Sequence, residues 1–282
     1  MAVQSLDEPI NTWHSQRAIM KINYEHFFGD DVSKADTYKP YILTVKRGFI
    51  ALVMMHVIQT IVGIAFAYGI KIISSQSNQE VIVDIQIIGM TSVLISGVIV
   101  LMLIWLDIRR LGSPFLSQLG FRRSAVSIRK AAFFIFLLLA ASHFLAWIYR
   151  SFILPIFGHG DIIGSASKLF AYLLETESIL GVTGFLSLGL IVGPVMEEII
   201  FRGYLQSSLA KRMPHWIAIL ITSFVFMLGH GPMILWPMYF GYSLAWGWIY
   251  MYTRSLKTAI ILHLLSNLFY TFVVLLDWDL LA

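Results

Sequence analysis

Residues 179–203 read ILGVTGFLSLGLIVGPVMEEIIFRG. The eighteen residues from Ile179 to Met196 carry no charge, and Glu197, Glu198 and Arg202 then follow within six positions. About 20 apolar residues cross a bilayer as a helix. A charge held at membrane depth costs several kcal/mol, so an ionisable residue at the end of such a run is a functional hypothesis by default.

Working outward, the same apolar texture recurs on both sides. Spans are expected near 48–70, 85–106, 131–154, 179–203, 215–231, 236–252 and 258–276. The 282-residue chain is 58% hydrophobic and only 13% charged, with a mean hydropathy of +0.77. Soluble domains carry about 25% charged residues, so a soluble enzyme is excluded, as are a disordered chain and a fibrous repeat. The expected fold is all-α: a polytopic membrane helical bundle of about seven transmembrane helices. Residues 1–45 are polar and lack the basic-then-apolar order of a signal peptide, which predicts a retained N-terminal arm. Residues 46–178 supply the N-terminal transmembrane helices and loops, with a short interfacial helix near 159–178. Residues 179–276 form a C-terminal helical core, and 277–282 a short tail bearing Asp277 and Asp279. With no cysteine in the chain, disulfides, zinc-thiolate sites and thiol nucleophiles are out of reach.

Lys and Arg test the topology. With the N-terminus inside, sixteen of the 20 Lys and Arg residues fall in inside segments, Arg109, Arg110, Arg122 and Arg123 among them. Outside loops hold Lys71 and Lys168, while Arg150 and Arg202 lie within spans. This bias predicts seven spans with the N-terminus cytoplasmic and the C-terminus outside; an eighth span would break the alternation. The basic residues sit in short loops rather than on a stripe, so no nucleic-acid partner is expected. The small-residue spacings Gly189 to Gly193 and Gly241 to Ala245 suggest close helix contacts.

Three clusters in the C-terminal third combine apolar surroundings with ionisable or amide side chains: Glu197-Glu198-x-x-x-Arg202, Phe226-x-x-x-His230 and His263-x-x-x-Asn267. Glu198 and Arg202 are i,i+4 neighbours and can pair, lowering the burial cost of both. Glu197 is turned about 100° away on a helix, which leaves it available as a base. At about 1.5 Å rise per residue, Glu197 lies about 21 Å from Lys211 and His230 about 22 Å from His215. His263 lies about 14 Å and Asn267 about 20 Å from Arg254. On unbroken helices the clusters meet near mid-membrane, although Pro194 is positioned to kink the first of them.

A free carboxylate, two imidazoles and an amide around one cavity suit water activation at a carbonyl. Glu197 would take a proton from a water that His230 helps to position. His263 and Asn267 would hydrogen-bond the tetrahedral oxyanion, with Glu198 and Arg202 supporting. A serine route is weaker, because Ser266 has no G-x-S-x-G frame. The competing chemistry is a divalent ion held by His230, His263 and a glutamate. Neither H-E-x-x-H nor H-x-x-E-H occurs, and the reading without a cofactor is preferred, with metal left open.

The three motifs, in this order and on successive hydrophobic segments, resemble those of the CAAX protease and bacteriocin-processing intramembrane proteases. The eukaryotic members of that family are the Ras-converting prenyl-protein endopeptidases. The likeness covers roughly residues 180–270, and Gly203 in Phe201-Arg202-Gly203-Tyr204-Leu205 adds to it. It implies a helical bundle with a cavity open to the cytoplasm and the lipid, and an endopeptidase acting on a peptide or membrane-associated substrate. By motif position, Glu197 and His230 hold the attacking water, while His263 and Asn267 bind the oxyanion. Two other classes fit the same clusters. One is a catalytically silent relative with an immunity or scaffolding role. The other is a transporter using Glu197 and Glu198 as a proton relay, which predicts an internal repeat that the sequence lacks.

Elsewhere the bland readings are preferred. His56 and His143 read as lone histidines in apolar helices, and Arg150 as a side chain snorkelling to the interface. The aromatic run from Trp236 to Tyr252 reads as an interfacial belt with core packing, and a substrate groove as the less favoured option.

Overall fold

The computed structural model describes residues 43–76, 85–158 and 179–276, and every regular element among them is helical. The expected arm as far as residue 42, the interfacial helix at 159–178 and the tail at 277–282 lie outside the described residues. Helices stand at all seven expected spans. They are α1 (Val45–Gln76), α2 (Ile85–Leu111), then after a short α3 (Ser113–Gln118) α4 (Ile128–Ile148), followed by a rod built from α5 (Ile179–Ser187), α6 (Gly193–Glu198) and α7 (Ser207–Ala210), then α8 (His215–Leu228), α9 (Trp236–Thr253) and α10 (Leu256–Leu276).

Among the described residues five of these helices are long and apolar enough to cross a membrane: α1, α2, α4 with its extension, the rod and α10. The other two expected spans differ. Helix α8 has only 14 residues, about 21 Å at the helical rise, because Gly229 and the Gly231-Pro232 pair end it. Helix α9 has 18 residues but is diluted by tyrosine, glycine and proline. They pack along each other, and the outer face of α8 stays exposed at Trp216, Phe224 and Leu228. The result is an all-α membrane bundle in which the short helices α8 and α9 join the rod and α10.

Two long helices change pitch at positions that matter. Helix α4 is capped by Ser127, whose hydroxyl accepts from the Lys130 amide, and widens into a π-turn at Tyr149–Ile153 before a 3-10 turn at Leu154–Phe157. The rod is π-helical at Leu188–Val192 and again at Ile199–Gln206. The first of these follows from Pro194. The Gly193 amide donates to the Leu188 carbonyl, five residues back, and proline has no N–H for the carbonyl of Gly189, which is five residues before it. The resulting widening takes the place of a sharp kink.

Close helix contacts fall elsewhere than the expected Gly189 and Gly241, where a Cβ would meet open space. A Cβ on Gly48 would lie 3.0 Å from Leu205 Cα, one on Gly97 3.0 Å from Val192 Cγ1, and one on Gly247 2.8 Å from Gln206 Oε1. The rod is thus gripped by α1, α2 and α9 through small residues, as packing in lipid requires. At Gly120, with φ +86°, a Cβ would lie 2.6 Å from the Tyr250 ring. That turn also receives the Leu256 amide on the Gly120 carbonyl at 2.8 Å, tying the α9–α10 corner to the α3–α4 loop.

Candidate active site

Glu197 and Glu198 follow one another at the end of α6, with opposite surroundings. Glu198 is fully buried and takes Arg202 Nη1 at 3.0 Å on Oε1, the expected i,i+4 pair. Arg202, also fully buried, turns its other terminal nitrogen to α9, where Nη2 donates to the Ser243 carbonyl at 3.0 Å and the Ser243 hydroxyl at 2.7 Å. Its guanidinium lies over the rings of Phe226 and Trp246, at 5.1 and 5.3 Å. The pair therefore links the rod, α8 and α9. Buried charges persist only when paired and hydrogen-bonded in this way.

The structure adds a third partner that helix faces did not reveal. His263 Nδ1 lies 2.9 Å from the same Glu198 Oε1. A carboxylate accepts, so Nδ1 carries the proton, and Nε2 points away from Glu198. Trp246 is stacked on the His263 ring with centroids 3.6 Å apart and planes 17° from parallel, which fixes its orientation.

His230 does not continue α8 as expected. It lies past the helix end at Leu228, in the turn before Pro232, because Gly229 and Gly231 interrupt the helix. Its placement is nonetheless firm. Nδ1 donates to the Phe226 carbonyl at 2.7 Å, the ring stacks on Phe226 at 4.1 Å, and Trp236 Nε1 caps the His230 carbonyl at 3.0 Å. Here too the Nδ1 proton is committed to a fixed acceptor, leaving Nε2 to face the site.

Both Nε2 atoms converge on Glu197. His230 Nε2 is 3.7 Å from Oε1 and His263 Nε2 is 3.8 Å from Oε2, so each imidazole addresses its own carboxylate oxygen. The Glu197 side chain retains 22% exposure, against none for Glu198. It opens into a cavity of about 350 Å³ that His230, His263 and Asn267 also line, within the size range of small-ligand sites.

Asn267 is partly committed. Its Nδ2 donates to the Gly189 carbonyl at 2.8 Å, the acceptor that Pro194 leaves without an N–H. One amide hydrogen is thereby engaged in holding α10 to the π-turn, and the other is left for the cavity. Among the described residues no group of three or more His, Cys, Asp or Glu side chains is closed up as a ready-made metal cage, while the donor types at Glu197, His230 and His263 are those a divalent ion takes.

The cavity wall brings in residues read blandly from the sequence. His143 and Arg150, from α4 and its π-turn, line the cavity rather than standing alone in lipid or snorkelling. His143 Nδ1 is 3.1 Å from the Tyr242 hydroxyl, and Arg150 Nη1 donates to the Tyr270 hydroxyl at 3.4 Å. Tyr239, Tyr242 and Trp246 of the aromatic run line the same space. The signal available beforehand was Arg150 itself, an unpaired cation inside a predicted span. His56 stays outside the site, its Nδ1 2.9 Å from the Leu52 carbonyl.

Comparison with known proteins gives a likeness over the part of the chain that carries this site. Residues 179–269 match the family described as type II CAAX prenyl endopeptidase Rce1-like. Over these residues the chain is similar to the CAAX protease and bacteriocin-processing family. Among its relatives, the membrane-embedded CAAX protease MroQ of Staphylococcus aureus (strain USA300) is 31% identical over 93 residues, 31% of this chain and 38% of that one. The candidate membrane peptidase YdiL of Bacillus subtilis (strain 168) is 27% identical over 142 residues, 47% of this chain and 56% of that one. The chain thus spans 38% and 56% of the length of these two relatives. No solved structure matches it.

Proposed function

We propose that the protein is an intramembrane endopeptidase that hydrolyses a peptide bond of a membrane-associated polypeptide with water activated by Glu197. The observation that carries this reading is the convergence of His230 Nε2 and His263 Nε2 on the two oxygens of Glu197, at 3.7 and 3.8 Å, at the wall of a cavity. The names of the two relatives point to peptide-bond chemistry as well.

The proton positions suggest how the parts divide the work. With its Nδ1 proton on the Phe226 carbonyl, neutral His230 offers a lone pair at Nε2. A water beside Glu197 then places one hydrogen on the carboxylate and the other on that lone pair. Its oxygen lone pair is thereby aimed at the substrate carbonyl. Glu197 takes the proton as the C–O bond forms. His263, carrying both ring protons with Nδ1–H held by Glu198, donates from Nε2 to the oxyanion, and the uncommitted Asn267 hydrogen is the second donor. Protonated Glu197 then returns the proton to the leaving amine as the C–N bond breaks. Glu198 and Arg202 touch no reacting atom in this scheme; they orient His263.

The aromatic wall of Tyr239, Tyr242 and Trp246 suits an extended peptide with apolar side chains. The test is a comparison of membrane peptidomes from cells carrying the wild type or Glu197→Gln. Peptides generated only by the wild type are the expected result and would identify the substrate. Indistinguishable peptidomes, with both proteins inserted at equal levels, would overturn the proposal.

A further inference from the structure

A second cavity, of about 540 Å³, lies away from the Glu197 cluster at the end of the bundle where α1 begins and α2 ends. Its lining is divided by polarity. Lys46, Arg47, Asp107 and Arg110 supply the charged part, and apolar residues such as Met54 and Leu103 the remainder. Arg47 Nη1 reaches both oxygens of Asp107 at 2.6 Å, and the Tyr204 hydroxyl donates to Asp107 Oδ2 at 3.0 Å. The single carboxylate in the lining is thus already neutralised. Lys46 and Arg110 are both exposed, and neither makes an ion pair with a described residue, so three cations against one carboxylate leave a net positive rim. Met54 is 39% exposed and continues that rim along the helix surface into the zone where lipid tails lie.

From this division we infer that the cavity is a binding site for an anionic phospholipid, whose phosphate sits between Lys46 and Arg110 and whose first acyl carbons run along Met54 and Leu103. A basic pocket between helix ends at the membrane surface is the arrangement that recognises anionic headgroups. The apolar wall favours a lipid over a free anion, because a soluble phosphate has nothing to place against it. The site also touches the rod: Tyr204, at its floor, belongs to the same π-helical segment as Arg202. A bound headgroup therefore ties the start of α1 and the end of α2 to that segment, and raises thermal stability in proportion to its occupancy.

The test uses the purified full-length protein in a neutral detergent, with native mass spectrometry and thermal unfolding as readouts. The probes are phosphatidylglycerol, phosphatidylcholine, and inorganic phosphate at equal concentration. Phosphatidylglycerol is expected to bind at one discrete stoichiometry and raise the unfolding midpoint, with little response to the other two. In Lys46→Gln/Arg110→Gln its affinity falls roughly tenfold or more, while Lys46→Arg/Arg110→Lys retains it. Equal retention of phosphatidylglycerol and phosphatidylcholine, or no loss in the glutamine variant, would reduce the effect to general lipid solvation and overturn the inference. Inorganic phosphate matching phosphatidylglycerol would make this a soluble-anion site instead. Failure to bind lipid, with Lys46 crosslinking to residues 1–42, would assign the cavity to this chain's own N-terminal arm.

Discussion

Glu197 and Glu198 are adjacent in sequence, yet the first side chain is 22% exposed to a cavity while the second is fully buried on Arg202 and His263. The split follows from the rotation of about 100° between consecutive helical residues. It leaves two identical side chains in different settings, one facing the cavity and the other fixed as a counter-charge.

Glu198→Gln is therefore expected to act on the fold. Removing one member of a buried ion pair leaves the other charge uncompensated and costs about 3–5 kcal/mol. Thermal unfolding in detergent checks this, with a clear drop in midpoint for Glu198→Gln and little change for Glu197→Gln. Equal midpoints for the two variants would contradict the division of roles.

The two nitrogens of His263 are separable in the same way. In His263→Asn the amide stands near the Nδ1 position and keeps a donor for Glu198, so the protein is expected to fold close to wild type. Losing the Nε2 donor is expected to lower turnover about 10²-fold or more. His263→Gln, which keeps a group near Nε2 and abandons Glu198, is expected to lose stability first. A stable and fully active His263→Asn would show that Nε2 does nothing in the reaction.

Pro194 and Asn267 are expected to be energetically coupled. Pro194 leaves the Gly189 carbonyl without an N–H, and Asn267 Nδ2 supplies the missing donor at 2.8 Å. Pro194→Ala restores a backbone donor, so Asn267→Ala should cost less stability in that background. A double-mutant cycle is expected to give a coupling on the order of 1 kcal/mol; strict additivity would contradict the account of the π-turn.

How much of this is legible in the sequence depends on the range of each interaction. The Glu198–Arg202 pair is set by helical spacing alone and could be read directly, as could the gathering of three motifs from depth along apolar runs. The Gly-rich turn that moves His230 off α8 was written in Gly229 and Gly231-Pro232, but its effect on ring direction was not. The Asn267 contact depends on a local change of pitch and on a second helix 78 residues away, which periodicity does not encode. Arg150 and His143 reach the cavity because α4 packs on α9 and α10; that is tertiary packing, and an isolated polar residue in a span carries no partner's name.

If catalysis runs through Glu197 without metal, chelation of the purified enzyme is expected to leave turnover unchanged, and elemental analysis to find no stoichiometric metal that tracks activity. Loss of activity on chelation, restored by one divalent ion per chain, would move the chemistry to a metal-bound water.

The most direct test of the central claim is single-turnover cleavage of an identified substrate by purified wild type and Glu197→Gln, both shown to be folded by thermal unfolding. The account predicts a loss of at least about 10²-fold in the cleavage rate, as expected when a general base is removed, with substrate binding retained. A Glu197→Gln enzyme that cleaves at the wild-type rate would contradict it.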